Sequence, residues 1–146
     1  MFPRSSARTS RARRRSRTGR IARAVVEYLV ADARPYAATS QPFDETAWRD
    51  LAARDFDRSR NLASTVKNPM LVEGGPERWR ERLRELRMPT LVVHGTEDPL
   101  FPLEHGAALA NEIPNARLVP LEQTGHELPR RVWDVVVPEL LRHTAS

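Results

Sequence analysis

Apolar residues recur at Ile21, Val25, Tyr28 and Leu29, spaced i, i+4, i+7, i+8, and that period places them along one side of a helix. The spacing predicts a helix over 20–33, closed before Pro35 because the residue ahead of a proline is pushed out of helical backbone. A loop with Pro35, Ser40 and Pro42 follows. Asp44 is suited to accept hydrogen bonds from the first free N–H groups of a second helix, predicted over 45–58 with Trp48, Leu51, Ala52 and Phe56 on one face. Leu62 to Lys67 reads as a short helix ended by Asn68-Pro69. Beyond Gly74-Gly75, Pro76 is set to open a third helix. Its buried stripe is Trp79, Leu83 and Leu86, with Glu77, Glu81 and Glu85 alternating with arginines outside.

At Met88 the period changes. Met88-Pro89-Thr90-Leu91-Val92-Val93-His94-Gly95 is a short β-branched apolar run entered through proline and left through glycine, the pattern of a strand buried on both faces. The strand is predicted over 90–94, a helix from Pro102 to Ile113, and a second strand from Ala116 to Leu121. Strand, helix, strand makes one right-handed parallel unit. The last helix, Pro129 to His143, carries Val132, Trp133, Val136 and Leu140 as its stripe. Pro138 lies inside it, at a cost of about 3 kcal/mol if the helix runs through, so a kink or restart is expected there. Two parallel strands leave open edges, and the sheet reads as incomplete. The fold class is α/β: a disordered tail over 1–20, a helical segment over 21–87, then strand-helix-strand-helix over 88–146.

Composition narrows the chemistry. The chain has 146 residues and no cysteine, so disulfides, thiolate nucleophiles and cysteine-bound zinc are excluded. No run approaches the roughly 18 apolar residues of a membrane span, and no apolar core follows the arginines as an export signal requires; a cytoplasmic compartment is expected. The net charge of +5 is unevenly placed. Residues 1–20 hold eight arginines and no acid, leaving 16 of the 24 basic side chains against all 19 acidic ones. Arginine interleaved with Ser, Thr and Gly has little to bury and is expected to be disordered. It reads as a loosely constrained extension, with a phosphate-binding arm or a targeting peptide as alternatives.

Two residues carry chemistry by their placement. Asp98 stands in the loop leaving the first strand and His126 just beyond the second, 28 residues later. In an open parallel sheet the carboxyl ends of the strands are where sites form, and the spacing allows loop, helix and strand to bring the two together. A carboxylate bonded to imidazole Nδ1 fixes the tautomer and leaves Nε2 free to take a proton from a hydroxyl. Glu97 is the alternative acid. His94, His105 and His143 read as structural or exposed, since no H-E-x-x-H pattern supports a metal. Neither metal nor cofactor is expected. Trp48, Trp79 and Trp133 fit helix faces, and Trp48 or Phe43 would line an apolar pocket beneath a lid.

Residues 88–142 resemble the C-terminal end of an α/β-hydrolase. Met88 to Pro102 resembles that family's penultimate strand and acid loop, Ala116 to His126 its last strand and histidine loop, and the segment with Pro129 and Trp133 the closing helix. The helices before Met88, with Pro42-Phe43-Asp44-Glu45, resemble the inserted lid. The resemblance implies a Ser-Asp-His triad hydrolysing small esters, with Asp98 and His126 as acid and base. The family places its serine in G-x-S-x-G, and none of Ser5, Ser6, Ser10, Ser16, Ser40, Ser59 or Ser64 is flanked by glycine two residues away on both sides. The expectation is a truncated chain, inactive alone, completed by a separate chain or an N-terminal half. The alternative is a non-catalytic module binding nucleic acid or an acidic partner through its arginine tail.

Overall fold

The computed structural model describes residues 6–71 and 79–145. Its elements are α1 (Ser6–Ala33), a 3-10 turn (Arg34–Tyr36), α2 (Glu45–Arg58), α3 (Leu62–Met70), a 3-10 helix (Trp79–Glu85), β1 (Thr90–Gly95), α4 (Leu103–Glu112), β2 (Ala116–Leu121), a 3-10 turn (Arg130–Val132) and α5 (Trp133–Thr144). They divide into two units, residues 6–33 with 44–71 and residues 34–43 with 79–145.

In the helical unit, α1 runs back to Ser6 through the arginine-rich segment expected to be disordered. Arginine and alanine are strong helix formers, and lengthening an existing helix needs no new nucleus. From Gly19 on, its buried residues are Val26 and Val30, while Ile21 and Tyr28 are about half exposed. Both sets have helical period, so periodicity alone leaves two neighbouring faces to choose from. Helix α2 has the predicted bounds: Asp44 Oδ1 accepts from the Ala47 N–H at 3.0 Å, Ala52 is buried, and Leu51 lies outside. Arg49 joins Glu27 of α1 at 3.0 Å and Glu45 at 2.7 Å, exposed ion pairs that orient more than they stabilise. Helix α3 continues through Pro69 to Met70 instead of stopping at Asn68. Near a helix end, proline forfeits one bond only.

The second unit is built on β1 and β2, paired in parallel with Thr90 opposite Ala116 and Gly95 opposite Leu121. Helix α4 makes the crossover and packs on both strands. The core is Val119, Leu121, Val132 and Val136, with Leu91 and Val93 packed against it. Each such side chain contributes roughly 1.5–3 kcal/mol when fully buried. Thr90 to His94 are only half-buried, not buried on both faces, because the sheet has just two strands among the described residues.

Three further expectations change. Trp79–Glu85 is a 3-10 helix, and Trp79 is exposed instead of buried; three residues per turn cannot hold an α-helical stripe to one side. Gly74, Gly75, Pro76 and Glu77 lie outside the described residues. Helix α5 runs unbroken through Pro138, without a restart. Pro138 and Asp134, whose carbonyl loses its partner, are both exposed, so water can take that bond. Trp133 and Leu140, placed in the stripe, are each 46% exposed, leaving Val132 and Val136 to do the burying.

Past the strand ends the two backbones stay in contact. A Cβ on Gly95 would lie 2.2 Å from the Thr124 carbonyl oxygen and 2.3 Å from that of Gly125. No residue larger than glycine fits without moving the backbone. Gly95→Ala is therefore expected to destabilise the chain by about 2 kcal/mol or more, measured by chemical denaturation. Gly19→Ala, in α1 with nothing within 4 Å of the new methyl, is expected to be neutral or to stabilise by up to ~1 kcal/mol.

Candidate active site

Beyond the last paired residues, hydrogen bonding between the two loops continues. The Thr96 N–H donates to the Leu121 carbonyl at 3.0 Å and the Glu97 N–H to that of Thr124 at 2.8 Å. Thr96 Oγ1 accepts from the Gln123 N–H at 3.0 Å. Gln123 turns the second loop with a left-handed φ of 52°. Thr124 is fully buried, its hydroxyl donating to the Glu122 carbonyl at 2.9 Å and accepting from Arg131 at 3.2 Å. The loops are thus fixed to each other immediately before Asp98 and His126.

Asp98 and His126 meet. His126 Nδ1 is 2.7 Å from Asp98 Oδ2, and Asp98 Oδ1 accepts from the N–H groups of Leu100 at 2.8 Å and Phe101 at 3.0 Å. The Asp98 side chain is 5% exposed and that of His126 49%. Burial pushes the Asp98 carboxyl up, but the His126 bond and the Phe101 and Leu100 N–H groups outweigh it and hold the group below the ordinary aspartate range. With Nδ1 engaged, Nε2 is the ring nitrogen left to bond another group. The Phe101 ring lies 5.8 Å from the His126 ring, inclined at 54°.

Glu97 points elsewhere. Its Oε2 accepts from the Ser40 N–H at 3.0 Å, so the alternative acid serves the loop over 34–43. His94 Nδ1 is 3.0 Å from the Gly95 carbonyl, with its ring against Gly106 of α4. His105 stacks loosely on Phe101, ring centres 5.9 Å apart, and His143 lies in the last turn of α5. Among the described residues no group of three His, Asp or Glu side chains is placed to hold a metal ion, and no helix is long and apolar enough to cross a membrane.

A cavity of about 900 Å³ opens beside the pair. Its walls include Trp79, Leu83, Phe101, Leu109 and Leu128, with Asp98 and His126 among the polar lining and the Arg80–Glu112 ion pair at its side. Neither Trp48 nor Phe43, the residues expected to line an apolar pocket, is part of it. Trp79, expected in a helix core, lines this cavity instead, and the only sequence signal for Phe101 is its place three residues after Asp98.

Residues 3–129 match the family model described as alpha/beta hydrolase fold. Rhodomycin D methylesterase DnrP of Streptomyces peucetius is 37% identical over 105 residues, covering 72% of this chain and 35% of that protein. Rhodomycin D methylesterase DauP of Streptomyces sp. (strain C5) is 28% identical over 105 residues, with the same coverage of 72% and 35%. The crystal structure of a bromoperoxidase from Bacillus anthracis superposes with a TM-score of 0.59 at 18% identity, over 83% of this chain and 44% of that one, a likeness of fold alone. The chain spans about a third (35%) of the length of the curated relatives it matches.

A carboxyl whose pKa is lowered by folding adds stability that is complete above its unfolded value, about 3.9, and is lost as pH falls through the folded value. Asp98→Asn removes that contribution. The gap in Tm between wild type and Asp98→Asn is therefore expected to be widest above pH 5 and to shrink as pH falls from 4 to 2.5, followed by circular dichroism.

Proposed function

The chain belongs to the α/β-hydrolase fold family, and from that premise we propose that it supplies the acid and the base of a serine-hydrolase triad acting on small carboxylic esters. The carrying observation is the 2.7 Å bond from a half-exposed His126 to a shielded Asp98. Such a carboxylate holds the ring in the Nδ1–H tautomer, so Nε2 can take a proton from a serine hydroxyl. The names of the two methylesterase relatives support ester chemistry, and the apolar walls of the cavity favour an apolar acyl or alkyl group.

In this reading, since none of the serines ahead of Asp98 lies in G-x-S-x-G, the serine nucleophile is supplied from outside these 146 residues, on a longer form of the protein or on a separate chain. Its Oγ attacks the ester carbonyl while His126 Nε2 takes the hydroxyl proton. That proton then passes to the departing alcohol. Water attacks the acyl-serine, gives its proton to His126, and releases the carboxylic acid as Oγ recovers a proton. Asp98 stays ionised throughout and stabilises the imidazolium. Oxyanion donors also lie outside the chain in this reading, so the isolated polypeptide is expected to hydrolyse p-nitrophenyl esters no faster than its His126→Ala variant.

The test is the intact mass of the native protein in its source, joined to labelling with a fluorophosphonate. A labelled species above 16.7 kDa, or a co-purifying partner labelled on a G-x-S-x-G serine, is expected. In that assembly His126→Ala should lower kcat by roughly 10⁶-fold. Hydrolysis by the assembly that survives His126→Ala overturns the reading, as does a native 16.7 kDa species with no labelled partner.

A further inference from the structure

His126 is held twice, and only one hold is the Asp98 bond. Its backbone N–H donates to the Tyr36 carbonyl at 2.7 Å, on the segment 34–43 that belongs with the sheet unit although it lies roughly fifty residues before β1 in sequence. A Cβ on the preceding Gly125 would fall 2.3 Å from the Tyr36 oxygen and 2.7 Å from the Ala38 nitrogen, so the strap presses directly on the histidine loop. Ala38 is buried.

The strap is tied down by residues that flank the catalytic pair. Ser40 N–H donates to Glu97 Oε2 at 3.0 Å, and the Gln41 side-chain amide donates to Gln123 Oε1 at 2.9 Å. The Ala38 N–H reaches Glu127 Oε1 at 3.4 Å. Hydrogen bonds from the Ser40 hydroxyl and amide, then from Thr39, hold the Glu97 carboxyl below the usual glutamate range. Two consecutive acids therefore grip the same histidine by different routes: Asp98 takes its ring, and Glu97 takes the strap that takes its backbone.

We infer that the strap Tyr36–Gln41 is a positioning element for His126, with Glu97 as the residue that anchors it. Glu97 acts through the strap and touches no reacting atom. The inference rests on the reading of Asp98 and His126 as the working pair, but its physical content is a coupling between Glu97 and the orientation of His126. With the anchor removed, the Tyr36 carbonyl drifts from the His126 N–H, the loop gains freedom, and the imidazole no longer stays on Asp98 Oδ2.

Amide hydrogen exchange and ring ¹⁵N spectra of the full 146-residue chain test this without substrate. Glu97→Ala is expected to cut protection of the His126 amide at least tenfold while leaving the amides of the β1–β2 ladder unchanged. The ring ¹⁵N shifts should move from the Nδ1–H tautomer toward a mixture. Ser40→Ala, at an exposed position that cannot unfold the chain, is expected to give about a threefold loss at the same amide. Glu104→Gln removes an equal charge from an exposed site on α4 and should change neither readout. An unchanged His126 amide and tautomer in Glu97→Ala overturns the proposal, and so does a parallel loss at the ladder amides, which marks a purely global effect. Failure of hydrolysis with this coupling intact removes the functional reading alone; loss of the coupling with hydrolysis intact removes the strap alone.

Discussion

The arrangement depends on the close approach of two backbones at Gly95 and Gly125. Parallel pairing of β1 with β2 would end at Leu121, yet the absence of a side chain at Gly95 lets the loops remain hydrogen-bonded for two residues more. That extension decides where Asp98 and His126 stand. A loop leaving a strand freely has several backbone wells open to each residue, at about 1–2 kcal/mol of entropy per residue fixed. Here that cost is met by backbone bonds and by the buried, fully bonded Thr124, before Asp98 or His126 is reached.

The same economy explains what each acid does. Asp98 has both oxygens engaged, one by two backbone N–H groups and the other by imidazole. A carboxylate so bonded stays charged although nearly shielded from water, which is what an orienting partner of a histidine requires. Glu97 is one residue away and faces the strap. In the turn after β1 the two side chains go to different partners, Glu97 to Ser40 and Asp98 to His126, so one acid cannot do the work of the other.

Burial in the sheet unit is thin for its strand types. Val92 and Val93 belong to a run that ordinarily sits between two layers, yet they are only half covered, and α5 leaves Trp133, Val137, Leu140 and Leu141 about half exposed or more. A parallel pair with helices packed around it is a fraction of a sheet, in keeping with a chain that spans about a third (35%) of the length of its curated relatives. The fold family is recognised over residues 3–129 of this fraction.

The amino-acid sequence by itself determined the order of the elements from Glu45 onward and, apart from the 3-10 helix Trp79–Glu85, their kind, with α2 and β2 at their predicted bounds, and the placing of Asp98 and His126 at the carboxyl ends of neighbouring parallel strands. Those features follow from period, capping and turn residues, which act between neighbours in the chain. Burial was less legible. Val26 and Val30 took the place expected for Ile21 and Tyr28, and Trp79 turned outward to the cavity wall, because a stripe shows that a face is apolar but not what will cover it. The role of Glu97 was not legible at all. Its partner Ser40 lies 57 residues away and the Glu127 contact to Ala38 spans 89, distances over which no local pattern carries information. Only the tertiary structure, by closing those loops against each other, decided which acid would face the histidine and which would hold the strap behind it.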